Sequence, residues 1–209
     1  MKILFVSLGC DKNLVDSEKM LGILSKRGYE FTDDEAEAEV IVVNTCCFIG
    51  DAKEESIGEL IRLGKLKEDG NLKVLIATGC LAQRYSSEIF DDLPEVDAVI
   101  GTMSIESIGD IVEEALRKKE DSKEYKISKI DPLDSKPYSD PHRSLTTGGH
   151  YAYLKIAEGC NKRCTYCIIP YVRGSYRSIP MEDIVKEAEE LSAAGVKELI
   201  LVAQETTLY

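Results

Sequence analysis

No stretch of this sequence approaches the roughly 20 consecutive apolar residues that a membrane helix needs. The opening Met1-Lys2-Ile3-Leu4-Phe5-Val6 is too short and too soon interrupted to be a signal peptide, and reads as a strand instead. These two absences point to a cytosolic protein with no membrane partner. Positive charge is also scarce, since 26 Lys and Arg against 38 Asp and Glu leave a net charge of −12. General affinity for nucleic acid comes from basic residues that displace counterions, so an acidic body argues against broad polyanion binding and against direct nucleic-acid contact. Histidine is nearly missing: only His142 and His150 are present, both on a polar stretch and read as bystanders. There is no internal repeat and no low-complexity tract. What remains is 209 residues, 44% hydrophobic and 31% charged, enough for one large globular domain or two small ones.

Periodicity divides the chain in three. Over residues 1–118, short apolar runs alternate with helical stripes. Lys2–Leu8, Glu39–Asn44 and Leu72–Thr78 read as buried strands, Tyr29–Thr32 and Asp97–Ile100 as weaker ones. Helices are expected over Leu14–Arg27, closed by Gly28, and over Leu81–Phe90. Another starts at Asp51 as N-cap, with Ile57, Leu60, Ile61 and Gly64 on one face, and a last carries Ile108, Ile111, Val112, Ala115 and Leu116. That alternation predicts an α/β fold with a doubly wound parallel sheet. Residues 119–150 turn charged and then Pro-, Ser- and Gly-rich, as an interdomain linker does. From Tyr151 a second module begins: strand (Tyr151–Ala157), cysteine loop, helix (Met181–Ala194) and strand (Glu198–Ala203). Two strands and one helix cannot close a barrel, so this module reads as partial.

Seven cysteines are an odd set, and in a reducing compartment metal binding or catalysis explains them better than disulfides. Cys160, Cys164 and Cys167 form C-x3-C-x2-C directly after a predicted strand. Three thiolates on one loop can ligate three irons of a cubane and leave the fourth open to a substrate. A Cys3His zinc site with His142 or His150 is the competing reading. Cys10, Cys46 and Cys80 are far apart, yet each follows a predicted strand: Leu8-Gly9-Cys10, Asn44-Thr45-Cys46 and Thr78-Gly79-Cys80. In a parallel sheet those ends share one edge, where open α/β folds bind ligands. They are either a second metal-binding trio or small buried hydrophobes. Residues 142–180 carry six Lys or Arg against one acid, an island of positive charge around the cysteine loop.

The loop motif, with Tyr166 before its last cysteine, resembles the signature of the radical S-adenosylmethionine (SAM) superfamily. Glu158-Gly159-Cys160-Asn161 and Cys167-Ile168-Ile169-Pro170, then Arg173-Gly174 and Arg177-Ser178, are similar to its methylthiotransferase branch, although Ile179 stands where that branch carries an arginine. The resemblance implies that residues 151–209 are the first part of a (β/α) barrel. It implies further that Cys160, Cys164 and Cys167 hold a 4Fe–4S cluster and that SAM binds there, near Glu158, Tyr166, Arg173 and Arg177. Reductive cleavage of SAM would give a 5′-deoxyadenosyl radical.

Leu8-Gly9-Cys10-Asp11-Lys12-Asn13-Leu14-Val15-Asp16-Ser17-Glu18, Asn44-Thr45-Cys46 and Gly79-Cys80-Leu81-Ala82-Gln83-Arg84 are similar to the N-terminal domain of the same family. A second 4Fe–4S cluster on Cys10, Cys46 and Cys80, implicated in carrying the inserted sulfur, follows from that likeness, as does a low-potential electron donor such as flavodoxin. Cys47 matches no ligand position and reads as packing. Gly9-Cys10-Asp11-Lys12-Asn13, Phe48–Ser56 and Ala203–Tyr209 look like the branch that modifies an aspartate β-carbon in the twelfth small-subunit ribosomal protein. The branch that modifies tRNA adenosines is the alternative, and a cluster-binding fragment without turnover is the reading from another class.

Overall fold

The computed structural model describes residues 1–121 and 125–209; residues 122–124, within the expected linker, lie outside the described residues. Residues 1–129 form a six-stranded parallel sheet of β1 (Lys2–Ser7), β2 (Glu30–Phe31), β3 (Val40–Thr45), β4 (Val74–Gly79), β5 (Ala98–Ile100) and β6 (Ile127–Lys129), in the order β2-β1-β3-β4-β5-β6. Every pairing is parallel. The intervening helices are α1 (Asp11–Lys26), α2 (Gly50–Gly64), α3 (Leu66–Asp69), α4 (Cys80–Arg84), α5 (Ser86–Asp92) and α6 (Ile108–Glu120).

Strands buried on both faces need no polar alternation, which is why Val40-Ile41-Val42-Val43 is apolar throughout. The pleat sends Val40 and Val42 to the face covered by Met20 and Leu24 of α1 and Ile108 and Val112 of α6. It sends Ile41 and Val43 to the face covered by Leu60 and Leu63 of α2, Leu81 of α4 and Ile89 of α5. The predicted doubly wound sheet is therefore present, with helices on both sides.

Four local expectations change before the second module. Asp51 makes no cap; Ile49 is the N-cap of α2, without a side-chain hydrogen bond, and Asp51 lies in the first turn, where its charge still meets the positive helix end. The buried face of α2 uses Leu60, Leu63 and Gly64, while Ile61 is exposed. The helix expected over Leu81–Phe90 breaks in two at Tyr85, which leaves helical geometry at φ −124°, ψ 36°. The expected linker also contains β6, which pairs with β5 and extends the sheet. Three residues at a sheet edge are too few to leave a periodic signal.

Beyond β6 the chain runs along α1. The Ser144 amide donates to the Glu18 carbonyl and Thr146 donates to the Glu18 carboxylate. The second module comprises β7 (Tyr151–Lys155), β8 (Ala157–Glu158), α7 (Ile169–Val172), β9 (Arg177–Ser178), α8 (Met181–Ala193) and β10 (Glu198–Val202). Strands β7 and β10 pair in parallel across α8, the repeating unit of a β/α barrel, while β8 and β9 form a short antiparallel pair. The strand expected over Tyr151–Ala157 thus breaks at Ile156.

Helix α1 joins the modules. It buries Asn13, Asp16, Ser17, Glu18 and Lys19; Ser17 bonds back to Ser7 and Asn44, while the other four find partners in the linker and the second module. Lys19 pairs with Glu187 of α8 at 3.2 Å, and Arg143 approaches Glu18 at 3.5 Å and Glu187 at 3.2 Å, all nearly inaccessible to solvent. Burial lowers the proton affinity of Lys19, opposed by Glu187.

Candidate metal centres

The strand ends of β1, β3 and β4 are neighbours, so their following residues meet at one edge of the sheet. Cys10 is the N-cap of α1, Cys46 follows β3 and Cys80 opens α4. All three line one cavity of about 350 Å³, together with Gly9, Asn13, Ile168, Ile169, Val172, Arg173 and Gln204. Two glycines make this convergence possible. Gly9 has φ +91°, and a Cβ there would lie 2.9 Å from the Cys46 Cβ. Gly79 has φ +90°, and a Cβ would lie 2.2 Å from Asn44 Oδ1 and 2.5 Å from the Thr45 carbonyl oxygen. Any side chain at either position would meet strain and a clash together.

Hydrogen bonds hold each cysteine-bearing turn. Asn13 Nδ2 donates to the carbonyls of Leu8 and Thr45, both at 3.1 Å, fastening the ends of β1 and β3 to α1. Asn44 Nδ2 donates back to the Asn13 carbonyl at 2.8 Å and to Ser17 Oγ at 2.9 Å. Ser56 Oγ accepts from the Cys46 amide and donates to its carbonyl. Asn13 borders the cavity itself, and Ser17 braces the frame behind it.

Cys160, Cys164 and Cys167 line a second cavity of about 400 Å³ with Asn161, Arg163, Thr165, Pro170, Tyr171 and Ser175. Its loop is tight. Arg163 has φ +46°, a left-handed conformation unusual for a residue with a side chain. The Cys160 amide donates to the Gly174 carbonyl at 3.1 Å, and the Cys167 amide to that of Cys164 at 2.9 Å. The four residues of α7 form the wall between the two cavities: Ile169 and Val172 face the first, Pro170 and Tyr171 the second.

Among the described residues no three His, Cys, Asp or Glu groups draw close enough to grip a single metal ion. Each trio lines a cavity of about 350 or 400 Å³. His142 packs its carbonyl against Gly22 and His150 stacks edge-on with Tyr151; neither borders a cysteine cavity. Cys47 is buried and lines neither cavity, and burial pushes its thiol up to about 12, so it stays a thiol at neutral pH.

Of the residues expected beside the loop, Tyr166 is almost fully exposed, at 91%. Arg177 donates to the carbonyls of Ser175 and Arg173. Glu158 and Arg173 are buried in an ion cluster that sequence reasoning did not find. Lys155 of β7 pairs with Asp16 of α1 and, at 2.8 Å, with Glu158. Arg173 reaches Asp16 at 2.7 Å, Glu158 at 3.4 Å and Asn13 Oδ1 at 2.5 Å. Gln204 donates to Glu158 and accepts from the Gly159 amide. Burial penalises the Asp16 carboxylate, but Lys155 and Arg173 outweigh that cost and hold its carboxyl below the ordinary range. Burial pushes the Cys80 thiol up, and Arg173 opposes it. The sequence signal for this cluster was a lysine inside an apolar strand, Lys155, and an aspartate inside a helix, Asp16, each needing a partner once buried.

Residues 2–101 match the Uncharacterized protein family UPF0004, and residues 154–209 match the Radical SAM superfamily. The whole chain is 56% identical to a protein of Lachnoclostridium phytofermentans named ribosomal protein uS12 methylthiotransferase RimO. It is 53% identical to a protein of that name from Acetivibrio thermocellus and 51% identical to one from Clostridioides difficile. In each case all of the chain is matched and 46% of the relative, so the chain spans about half the length of the curated relatives it matches.

Proposed function

We propose, from the membership of this chain in the radical SAM methylthiotransferase family, that it forms the cluster-bearing half of an enzyme that adds a methylthio group to an aspartate of ribosomal protein uS12. The observation that carries the reading is the pair of cysteine trios lining two cavities on either side of α7. Sulfur insertion by radical chemistry needs the carbon radical and the sulfur source within reach of one substrate atom, and two adjacent cavities supply that proximity.

When bound, SAM and the two 4Fe–4S clusters supply the deoxyadenosyl radical, the sulfur and the methyl group. The protein's part is to hold and shield them. Cys160, Cys164 and Cys167 would hold the first of these clusters on the short loop, in the cavity they line. Tyr166 and Arg177 would meet SAM on that side, while Glu158 and Arg173 stay buried in the ion cluster. Cys10, Cys46 and Cys80 hold the other cluster, and Asn13 and Ser56 fix the turns from which those thiolates project. Ile168, Ile169 and Val172 give the cavity of Cys10, Cys46 and Cys80 an apolar side. A low-potential donor of the flavodoxin kind supplies electrons, and the setting is the cytoplasm. Among the described residues no helix is long and apolar enough to cross a membrane.

Anaerobic reconstitution with iron and sulfide, followed by incubation with SAM and reductant, tests this. About eight irons per chain and formation of 5′-deoxyadenosine are expected. About four irons removes the second cluster from the proposal, and stoichiometric zinc overturns the cluster reading altogether. Two clusters without cleavage would make the chain a cluster-binding unit.

A further inference from the structure

Among the buried charges, Arg173 occupies a singular place. It belongs to the second module, directly after α7, yet its side chain lines the cavity of Cys10, Cys46 and Cys80 in the first. It is 2% exposed. One side of its guanidinium donates to Asn13 Oδ1, the same oxygen that takes the 3.8 Å contact from Cys80 Sγ. Its other side pairs with Asp16 and Glu158. The next residue, Gly174, gives its carbonyl to the amide of Cys160 in the other trio. One dipeptide therefore sets a positive charge against one trio and a backbone acceptor against the other.

The cluster of charges is balanced, with Arg173 and Lys155 against Asp16 and Glu158, but it is not symmetric about the cavity. Of these four only Arg173 lines the cavity wall. In a buried, weakly screened setting a nearby cation stabilises whichever form of a neighbour carries more negative charge. For an iron–sulfur cluster on three thiolates, that is the reduced form. Groups that touch the ligands rather than the metal set potential in this way.

We propose that Arg173 tunes the cluster at Cys10, Cys46 and Cys80: its buried charge, delivered by the second module, makes that cluster easier to reduce, and Asp16 acts in the opposite direction. This rests on the proposed ligand role of the three cysteines. Arg173 acts through Asn13 and Cys80 and is a positioning and tuning residue; it is not assigned a chemical step. The arrangement also makes the redox behaviour of one module depend on docking of the other.

The test uses the full chain with Cys160, Cys164 and Cys167 all replaced by alanine, so that one cluster remains. Its midpoint potential is followed by EPR during mediated reductive titration. Arg173→Met is expected to move the midpoint to more negative potential, Asp16→Asn to more positive potential, and Arg173→Lys to leave it close to the parent. A purely structural role predicts no opposed shifts. Unchanged midpoints, or shifts of the same sign for Arg173→Met and Asp16→Asn, overturn the inference. If Arg173→Met fails to fold, the Asp16→Asn and Arg173→Lys arms decide it on the same criterion. A parent that assembles no cluster overturns the ligand assignment itself, a failure distinct from a cluster whose potential ignores Arg173.

Discussion

The two cysteine trios reach similar ends by opposite routes. Cys160, Cys164 and Cys167 sit within eight residues of chain, on a loop closed by a left-handed Arg163, by Gly159 and Gly174 at positive φ and by two backbone hydrogen bonds. Cys10, Cys46 and Cys80 span 71 positions and meet only because β1, β3 and β4 are adjacent and parallel. Their site depends on the whole sheet, on two glycines at positive φ and on a lattice of Asn13, Asn44 and Ser56 side chains. A local site survives loosening of the fold, whereas a dispersed site reports on it. The surroundings differ too. The dispersed trio borders a buried ion cluster, while the local one opens toward exposed Tyr166 and Tyr171.

The largest expected contrast is functional. Cys164→Ala is expected to lower SAM cleavage by more than about 100-fold, the scale on which metal sites respond even to lesser changes. Cys46→Ala is expected to leave cleavage standing while removing methylthio transfer. Quantifying 5′-deoxyadenosine and product by mass spectrometry separates the two. Equal loss of cleavage in both variants would break the comparison.

Next is the ion cluster. Asp16→Asn strands Lys155 and Arg173 as buried charges and is expected to cost about 3–5 kcal/mol of unfolding free energy. Its pH dependence has a definite sign. Because the folded carboxyl lies below its ordinary value of 3.8, its stabilisation is complete above that value and is lost as pH falls through the lower folded one. Urea titrations across the acid range should show the variant losing this limb.

Gly79→Ala follows, with a forced positive φ and contacts to Asn44 and the Thr45 backbone, at about 3 kcal/mol. It is expected to lower iron at the dispersed trio while the loop trio keeps its own, as iron analysis with each trio deleted in turn would reveal. The smallest effect belongs to Cys47→Ala, about 1 kcal/mol from lost packing, with no change in iron content.

Legibility in the sequence follows the same division. The strands were readable because burial on both faces leaves unbroken apolar runs, as in Val40–Val43, and α6 because Ile108, Ile111, Val112 and Ala115 repeat at helical spacing. The loop trio was readable as a motif. The scattered trio was readable only through the rule that strand ends share an edge, which needed the sheet to be inferred first. The break at Tyr85, the edge strand β6 and the partners of Lys155 were not readable. Tyr85 has no breaker beside it, β6 is three residues long, and Lys155 finds Asp16 at a separation of 139 positions. Local chemistry cannot announce a pairing that tertiary structure alone creates.

The most direct test of two separate cluster sites is Mössbauer spectroscopy of protein reconstituted with 57Fe, with and without SAM. Two 4Fe–4S clusters per chain are expected, with SAM altering one iron in one cluster. Replacing Cys160, Cys164 and Cys167 should abolish that response and leave the other cluster intact. A single cluster per chain, or a SAM response that persists without the loop cysteines, would contradict the assignment.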